Sequence, residues 1–149
     1  MSMNVVQGSI YLKPWEPSDL AMEAVWAQDP EIIKLDPPAG KTFNMQRFSI
    51  YTFSDRHIGL CMLFNQTPTE VELGIRIGEK DCWDKGYGTD AVKALTTYCF
   101  YTMDVNLVWL KVLPLNTRAI RCYEKCGFVE TGKIIVGDYE FTRMEKRRQ

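Results

Sequence analysis

The stretch Trp83-Asp84-Lys85-Gly86-Tyr87-Gly88-Thr89-Asp90 constrains this chain more than any other. Before it, Val71-Glu72-Leu73-Gly74-Ile75-Arg76-Ile77 alternates apolar and polar residues, the period of a strand. After it, from Thr89 to Met103, glycine and proline disappear and the pattern turns helical. Two glycines therefore stand at a strand-to-helix turn. Glycine lets the backbone approach a ligand closely, and the first N–H groups of a helix have no partner inside it. With the positive end of the helix dipole and Lys85 alongside, such a turn is a cradle for a phosphate or pyrophosphate. A Gly-x-Gly turn alone does not name its ligand, because any tight helix entry uses one.

The chain has 149 residues, enough for one domain with its own core, and we read 1–149 as that single domain. A formal net charge of -1 excludes a general electrostatic pull towards nucleic acid or an anionic membrane, and Lys146-Arg147-Arg148 reads as a solvated tail. No segment approaches the ~20 apolar residues of a spanning helix. Gln7, Gly8 and Ser9 interrupt the apolar residues at the start, so no signal peptide is expected and a cytoplasmic protein is. The five cysteines, Cys61, Cys82, Cys99, Cys122 and Cys126, form no Cys-x-x-Cys pair, and His57 is the sole histidine. That set does not hold a metal, and reduced thiols packed in the core are expected.

Along the chain, Ser9–Leu12 reads as a short strand. Pro17-Ser18-Asp19 then opens a helix with Leu20, Ala21, Ala24, Val25 and Ala27 on one face, up to Asp29-Pro30. A further turn of helix spans 31–35 before Pro37-Pro38-Ala39-Gly40 breaks it. Gly40-Lys41-Thr42 echoes a nucleotide phosphate loop, but Leu35 stands where that motif needs glycine, which rejects it. Residues 47–53 and 58–64 read as a hairpin turning at Ser54-Asp55-Arg56-His57, with His57 exposed at its tip. Residues 107–113 form an apolar strand, Asn116 starts a last helix that Gly127 closes, and 128–135 with 139–144 form a final hairpin through Gly137-Asp138. The class is α/β (α+β): a mixed, mostly antiparallel sheet of six or seven strands with about four helices.

A second constellation follows. Asn116 is suited to a helix N-cap, and Tyr123, seven residues on, lies two turns below it on the same face. Each alone has a bland reading, a cap and a core aromatic. In order, however, Glu72-Leu73-Gly74-Ile75-Arg76-Ile77, then 83–91, then Asn116-Thr117-Arg118-Ala119-Ile120-Arg121-Cys122-Tyr123-Glu124-Lys125-Cys126-Gly127-Phe128 resemble the GCN5-related N-acetyltransferases (GNAT superfamily). The resemblance covers residues 58–145 well and the first part in outline. The superfamily's turn reads Arg/Gln-x-x-Gly-x-Gly/Ala; Trp83 at the first position is similar to the branch of ribosomal-protein alanine N-acetyltransferases, whose members are usually longer.

The resemblance implies a GNAT fold splayed at a central parallel strand pair, and acetyl-coenzyme A as co-substrate. Its pyrophosphate would rest on the amides of Lys85, Gly86, Tyr87, Gly88, Thr89 and Asp90. Its pantetheine would lie along Ile75, Arg76 and Ile77, whose free N–H and C=O groups can pair with its amides as an added strand would. Asn116, Tyr123 and Lys125 complete the expected cofactor-binding set. Acyl transfer to an amine needs a base, because a lysine amine titrates near 10.4 and an α-amine near 8. Glu72, on the polar phase of its strand, is the expected base, with Glu70 or a water chain as alternatives. Tyr123, a phenol titrating near 10, is the expected proton donor to the leaving thiolate, and Asn116 is expected to hydrogen-bond the pantetheine arm or a water beside the sulfur. By the same analogy Trp26, Asp29, Glu31 and Asp36 would line the acceptor side.

The implied activity is acetyl transfer to a primary amine of a protein N-terminus, a polyamine or another small molecule, by direct attack. No nucleic acid, membrane or metal takes part, and a homodimer stays open. A non-catalytic acyl-coenzyme A sensor on the same fold is the alternative reading. A Rossmann domain is rejected, because the glycine turn comes late and lacks Gly-x-Gly-x-x-Gly.

Overall fold

The computed structural model describes residues 5–37 and 45–149. Eight strands form one sheet: β1 (Val5–Gln7), β2 (Ile10–Pro14), β3 (Gln46–Thr52), β4 (His57–Phe64), β5 (Glu70–Ile77), β6 (Leu107–Val112), β7 (Val129–Val136) and β8 (Tyr139–Arg147). Their spatial order is β1-β2-β3-β4-β5-β6-β8-β7. Every neighbouring pair is antiparallel except β5 and β6, which run parallel. Four α-helices accompany the sheet among the described residues: α1 (Leu20–Trp26), α2 (Pro30–Leu35), α3 (Tyr87–Tyr101) and α4 (Thr117–Lys125). This is the expected mixed sheet with one strand more than the pattern showed. The extra strand is β1, three residues long, which pairs with β2 through the turn at Gly8, whose φ is +55°.

That hairpin is tied to the helix behind it. The Asp90 carboxylate accepts hydrogen bonds from the Ser9 backbone N–H at 3.0 Å and from the Ser9 hydroxyl at 2.7 Å. A side chain at Gly8 would collide with the same carboxylate, 2.4 Å from its nearest oxygen. Glycine there satisfies both the positive φ and the close approach.

The helix α3 carries the core. Ala91, Val92, Ala94, Leu95, Cys99 and Phe100 are buried along one face, in one cluster with Ile10, Leu12, Leu63, Val71, Leu73 and Leu110 of the strands. A fully buried Val, Leu or Phe stabilises by about 1.5–3 kcal/mol relative to exposure, so this face sets the position of the helix. The smaller cluster of Trp26, Ile32 and Leu60 sits apart from it, with Met62 and Trp83 packed alongside.

Three local expectations change. The helix expected from Pro17 to Ala27 divides into a 3-10 turn (Pro17–Asp19) and α1, and its apolar stripe does not face the core. Leu20 and Val25 are exposed and Trp26 is the buried residue of α1. His57 is not an exposed turn residue: it begins β4, stacks on Tyr51 at 4.9 Å between centroids and meets Trp26 edge-on at 5.0 Å. Asp19 lies against it, buried, and accepts hydrogen bonds from the Ser49 and Tyr51 hydroxyls, both at 2.7 Å. Asp29, read as the end of the first helix, caps α2 instead, accepting the Glu31 N–H at 2.9 Å ahead of Pro30. Gly40-Lys41-Thr42 and the expected break after Pro37 lie outside the described residues.

Candidate active site

The parallel pair opens where the site lies. β5 and β6 pair at Glu70–Leu107, Val71–Val108 and Glu72–Trp109, and beyond these positions they form no further ladder. A cavity of about 570 Å³ is lined from both sides of the gap, by Glu72 to Ile77 and by Lys111 to Leu113. On its other edge β5 stays paired with β4 as far as Ile77. The backbone groups of β5 that face the gap therefore have no strand to bond.

At the end of β5 the chain turns into α3. Gly86 occupies the cap position with φ +85°, a left-handed conformation that glycine adopts without strain. The Asp90 N–H donates to the Gly86 carbonyl at 3.0 Å and closes the first helical bond. The N–H groups of Tyr87, Gly88 and Thr89 precede that bond and donate to no other described residue. Asp90 thus leaves the expected cradle: the helix takes its amide, and Ser9 its carboxylate. Lys85 is exposed, and neither it nor the Tyr87 side chain lines the cavity. Gly86, Gly88 and Thr89 do.

Trp83 explains its own departure from the usual pattern. Its indole N–H donates to the Ile77 carbonyl at 2.7 Å, fastening the turn to the end of β5. The Arg118 guanidinium lies over its ring at 4.1 Å and bonds Asp84 at 3.2 Å. Arg118, Arg121 and Lys125 share one side of α4 at helical spacing and all line the cavity. Lys125 was expected there; Arg118 and Arg121 were missed, although a basic stripe on an otherwise amphipathic helix is legible in the sequence.

Asn116 and Tyr123 both border the cavity. The Asn116 side chain does not cap α4; its amide donates to the Leu35 carbonyl at 3.4 Å and ties α4 to the end of α2. Tyr123 is buried, and its hydroxyl makes no hydrogen bond with another described residue. Burial, reinforced by the neighbouring Cys122 and Asp36, pushes its phenol well above the ordinary value of 10. The hydroxyl therefore holds its proton more tightly than the sequence alone suggested. Cys122, on the same helix, faces Gly88: a side chain on that glycine would lie 3.6 Å from its sulfur. Hydrogen bonding with Cys126 and from the Thr89 hydroxyl lowers its thiol pKa against the opposing effect of burial.

Glu72 is the largest surprise. It is neither solvent-facing nor free: 1% of it is exposed, Lys111 Nζ stands 2.7 Å from one carboxylate oxygen, and the Asn65 amide donates to the other at 2.9 Å. Lys111 was missed because it reads as one polar residue in an apolar strand. Glu70, the reserve, lies outside the cavity. In register, Glu72, Gly74 and Arg76 stand beside Phe64, Met62 and Leu60 of β4, while Val71 and Leu73 turn to the opposite face, packed with α3. Of the expected acceptor-side residues, Asp36 reaches the cavity, paired with Arg76 at 2.9 Å. Trp26 is core, and Asp29 and Glu31 pair with Lys80 at 2.9 and 3.4 Å.

A glycine-capped helix N-terminus stands beside an opened parallel strand pair. The chain belongs to the acetyltransferase (GNAT) domain family, which it matches over residues 9–129. It is 33% identical over 97 residues to an uncharacterised N-acetyltransferase p20 of Bacillus licheniformis, covering 63% of this chain and 53% of that protein. The chain thus spans about half the length of that relative. The aminoglycoside acetyltransferase AAC(6')-Ib in complex with coenzyme A and kanamycin superposes with a TM-score of 0.82 at 22% identity, over 94% of this chain and 95% of that one. The Vibrio cholerae spermidine N-acetyltransferase with coenzyme A and spermine gives 0.80 at 20% identity, over 93% and 95%. These two show the fold.

Proposed function

We propose that this chain moves an acetyl group from acetyl-coenzyme A to a primary amine by direct attack within a ternary complex. One observation carries the reading: the three free amides at Tyr87, Gly88 and Thr89 and the buried Tyr123 border the same opened strand pair. The residues fit the co-substrate. The cradle, with Arg121 and Lys125 beside it, suits a diphosphate. The edge of β5 that faces the gap from Gly74 to Ile77, apart from the Ile77 carbonyl that takes the Trp83 indole, suits the two amides of pantetheine, and a backbone N–H there can stabilise an oxyanion. When bound, acetyl-coenzyme A supplies an activated thioester.

This chain's residues then orient and move protons. Asn116, fixed to Leu35, marks the thiol end of the arm. Tyr123 gives its proton to the departing sulfur and regains one from solvent. Glu72, with Lys111 on one oxygen, attracts the acceptor ammonium and receives its proton directly or through water; Glu70 is too remote from the cavity to share that work. The structural relatives with kanamycin and spermine support a primary amine as the acceptor class. Trp83 keeps the likeness to the ribosomal-protein alanine branch, and so a protein N-terminus, among the acceptors to be tried.

The test is thiol release from acetyl-coenzyme A across a panel of amines, beside calorimetric binding of the co-substrate. Binding with turnover supports the transferase. Binding without turnover across a broad panel, peptides included, favours the sensor, and absence of binding removes both. Gel filtration decides on a homodimer.

A further inference from the structure

We infer that the acceptor is an apolar monoamine, a single ammonium on a hydrophobic body, and that polyamines are disfavoured by the cavity's own ion pairs. The inference rests on the transferase reading and narrows its substrate class.

Three carboxylates line the cavity, and each already has a cation. Asp36 holds Arg76 at 2.9 Å, Glu72 holds Lys111 at 2.7 Å and Asp84 holds Arg118 at 3.2 Å. Two further cations, Arg121 and Lys125, line it without an ion pair among the described residues. Residues 1–4 and 38–44 contain no Asp or Glu, so no carboxylate of this chain is left to join from there. The cavity is therefore net cationic before any acceptor arrives. That excess suits the phosphates of coenzyme A. What it leaves for the acceptor are three carboxylates that each already hold a cation.

The face of β5 that carries Glu72 is apolar apart from its ion pairs. Phe64, Met62 and Phe141 line it with Ile32 and Leu35 of α2. The Lys111 ammonium lies 5.6 Å from the Phe64 ring centre and 6.0 Å from that of Phe141. Lys111 thus marks the kind of position an acceptor ammonium can take, against one carboxylate and beside two aromatic rings. One incoming ammonium can share Glu72, and its hydrocarbon part covers the rings. A second ammonium on the same molecule finds either the apolar side chains beside Glu72, where it loses water without gaining a counter-ion, or Asp36 and Asp84, which are solvent-exposed and already paired and so attract it little.

The experiment compares phenethylamine with spermidine and kanamycin. Each is titrated calorimetrically into the protein saturated with coenzyme A, and kcat/KM is measured with acetyl-coenzyme A. Phenethylamine is expected to exceed both polycations by at least about tenfold in each assay, since an unpaired buried ion costs more than that factor. Lys111→Gln, which releases Glu72, should shift the ratio towards spermidine by roughly tenfold. Equal or better use of spermidine or kanamycin by the native protein overturns the inference. So does an absence of phenethylamine binding while acetyl-coenzyme A still binds, or an unchanged ratio in folded Lys111→Gln; should that variant not fold, the native ratio decides. Failure to bind acetyl-coenzyme A is the separate result that strikes the transferase reading itself.

Discussion

Lys111 Nζ and Glu72 Oε2 lie 2.7 Å apart across the opened parallel pair, on side chains 17% and 2% exposed. Neither strand offers the other a hydrogen-bond ladder beyond Glu72 and Trp109, so this ion pair bridges the strands where the backbone no longer does. Removing the cation leaves a buried carboxylate with Asn65 as its remaining donor. Lys111→Met should therefore destabilise the protein by about 3 kcal/mol, the cost of breaking a buried pair from one side. Urea denaturation measures it. A change under about 0.5 kcal/mol, the size expected of an exposed pair, would show that the bridge carries no load.

Gly88 separates folding from binding. A side chain there would meet Cys122 and Ile77 at 3.6 and 3.8 Å, ordinary contacts that the fold accepts. Alanine also favours the helix by up to about 1 kcal/mol over glycine. Gly88→Ala should hold or raise the melting temperature while weakening acetyl-coenzyme A, because the added methyl makes only ordinary contacts with the protein but occupies space the phosphate needs. Native affinity in calorimetry would refute the cradle. Gly86→Val is expected to fail differently: φ is +85°, so strain adds to the loss of binding.

Tyr123→Phe removes a hydroxyl that has no protein partner among the described residues, so stability should change little. Turnover should fall by about 100-fold, the lower end for a positioned proton donor, with acetyl-coenzyme A affinity nearly intact. Burial raises the phenol above 10, so the donor stays protonated across the neutral and mildly alkaline range. If the chain is the proposed transferase, the pH profile of the native protein should show no alkaline loss from this group below pH 10. Equal kcat in the variant would remove Tyr123 from the chemistry.

Cys122 gives a pH test of the same wall. A free thiol titrates near 8.5. The hydrogen bonds with Cys126 and from Thr89 favour the Cys122 thiolate, while Cys126, bonded to Cys122 and buried, is raised. The folded-state value of Cys122 is thus depressed, so its contribution to stability is present above the unfolded value and fades as pH falls through the folded one. Alkylation by iodoacetamide should be selective for Cys122, with an inflection below pH 8.5, and acetyl-coenzyme A should slow it. Peptide mapping that finds Cys126 modified first would contradict this ordering.

Much of the fold was legible because its cues are local. The glycine turn, the helix after it and the closing hairpin depend on neighbours within a few residues. Short or one-sided elements were not. The strand β1 has three residues and no alternation to reveal it, and α1 carries its apolar stripe on an exposed face, so periodicity misdirected the reading. The site was legible as a set of positions. Glu72, Asn116, Tyr123, Gly86 and Gly88 do border one cavity, yet the work of several side chains differs from expectation. Asn116 ties two helices, Asp90 pins a hairpin, and Trp83, read only as a departure from the family pattern, braces the turn.

The order of residues by itself determined the glycine turn, the helix it feeds and the spacing of Asn116 and Tyr123, since dihedral preference and helical period act over a handful of bonds. Tertiary structure alone decided the charge of the cavity. Lys111 meets Glu72 from 39 positions away, and Arg76 meets Asp36 across 40. Coulomb attraction depends on separation in space and on burial, and both appear only once strand register and the divergence of β5 from β6 have placed those side chains together.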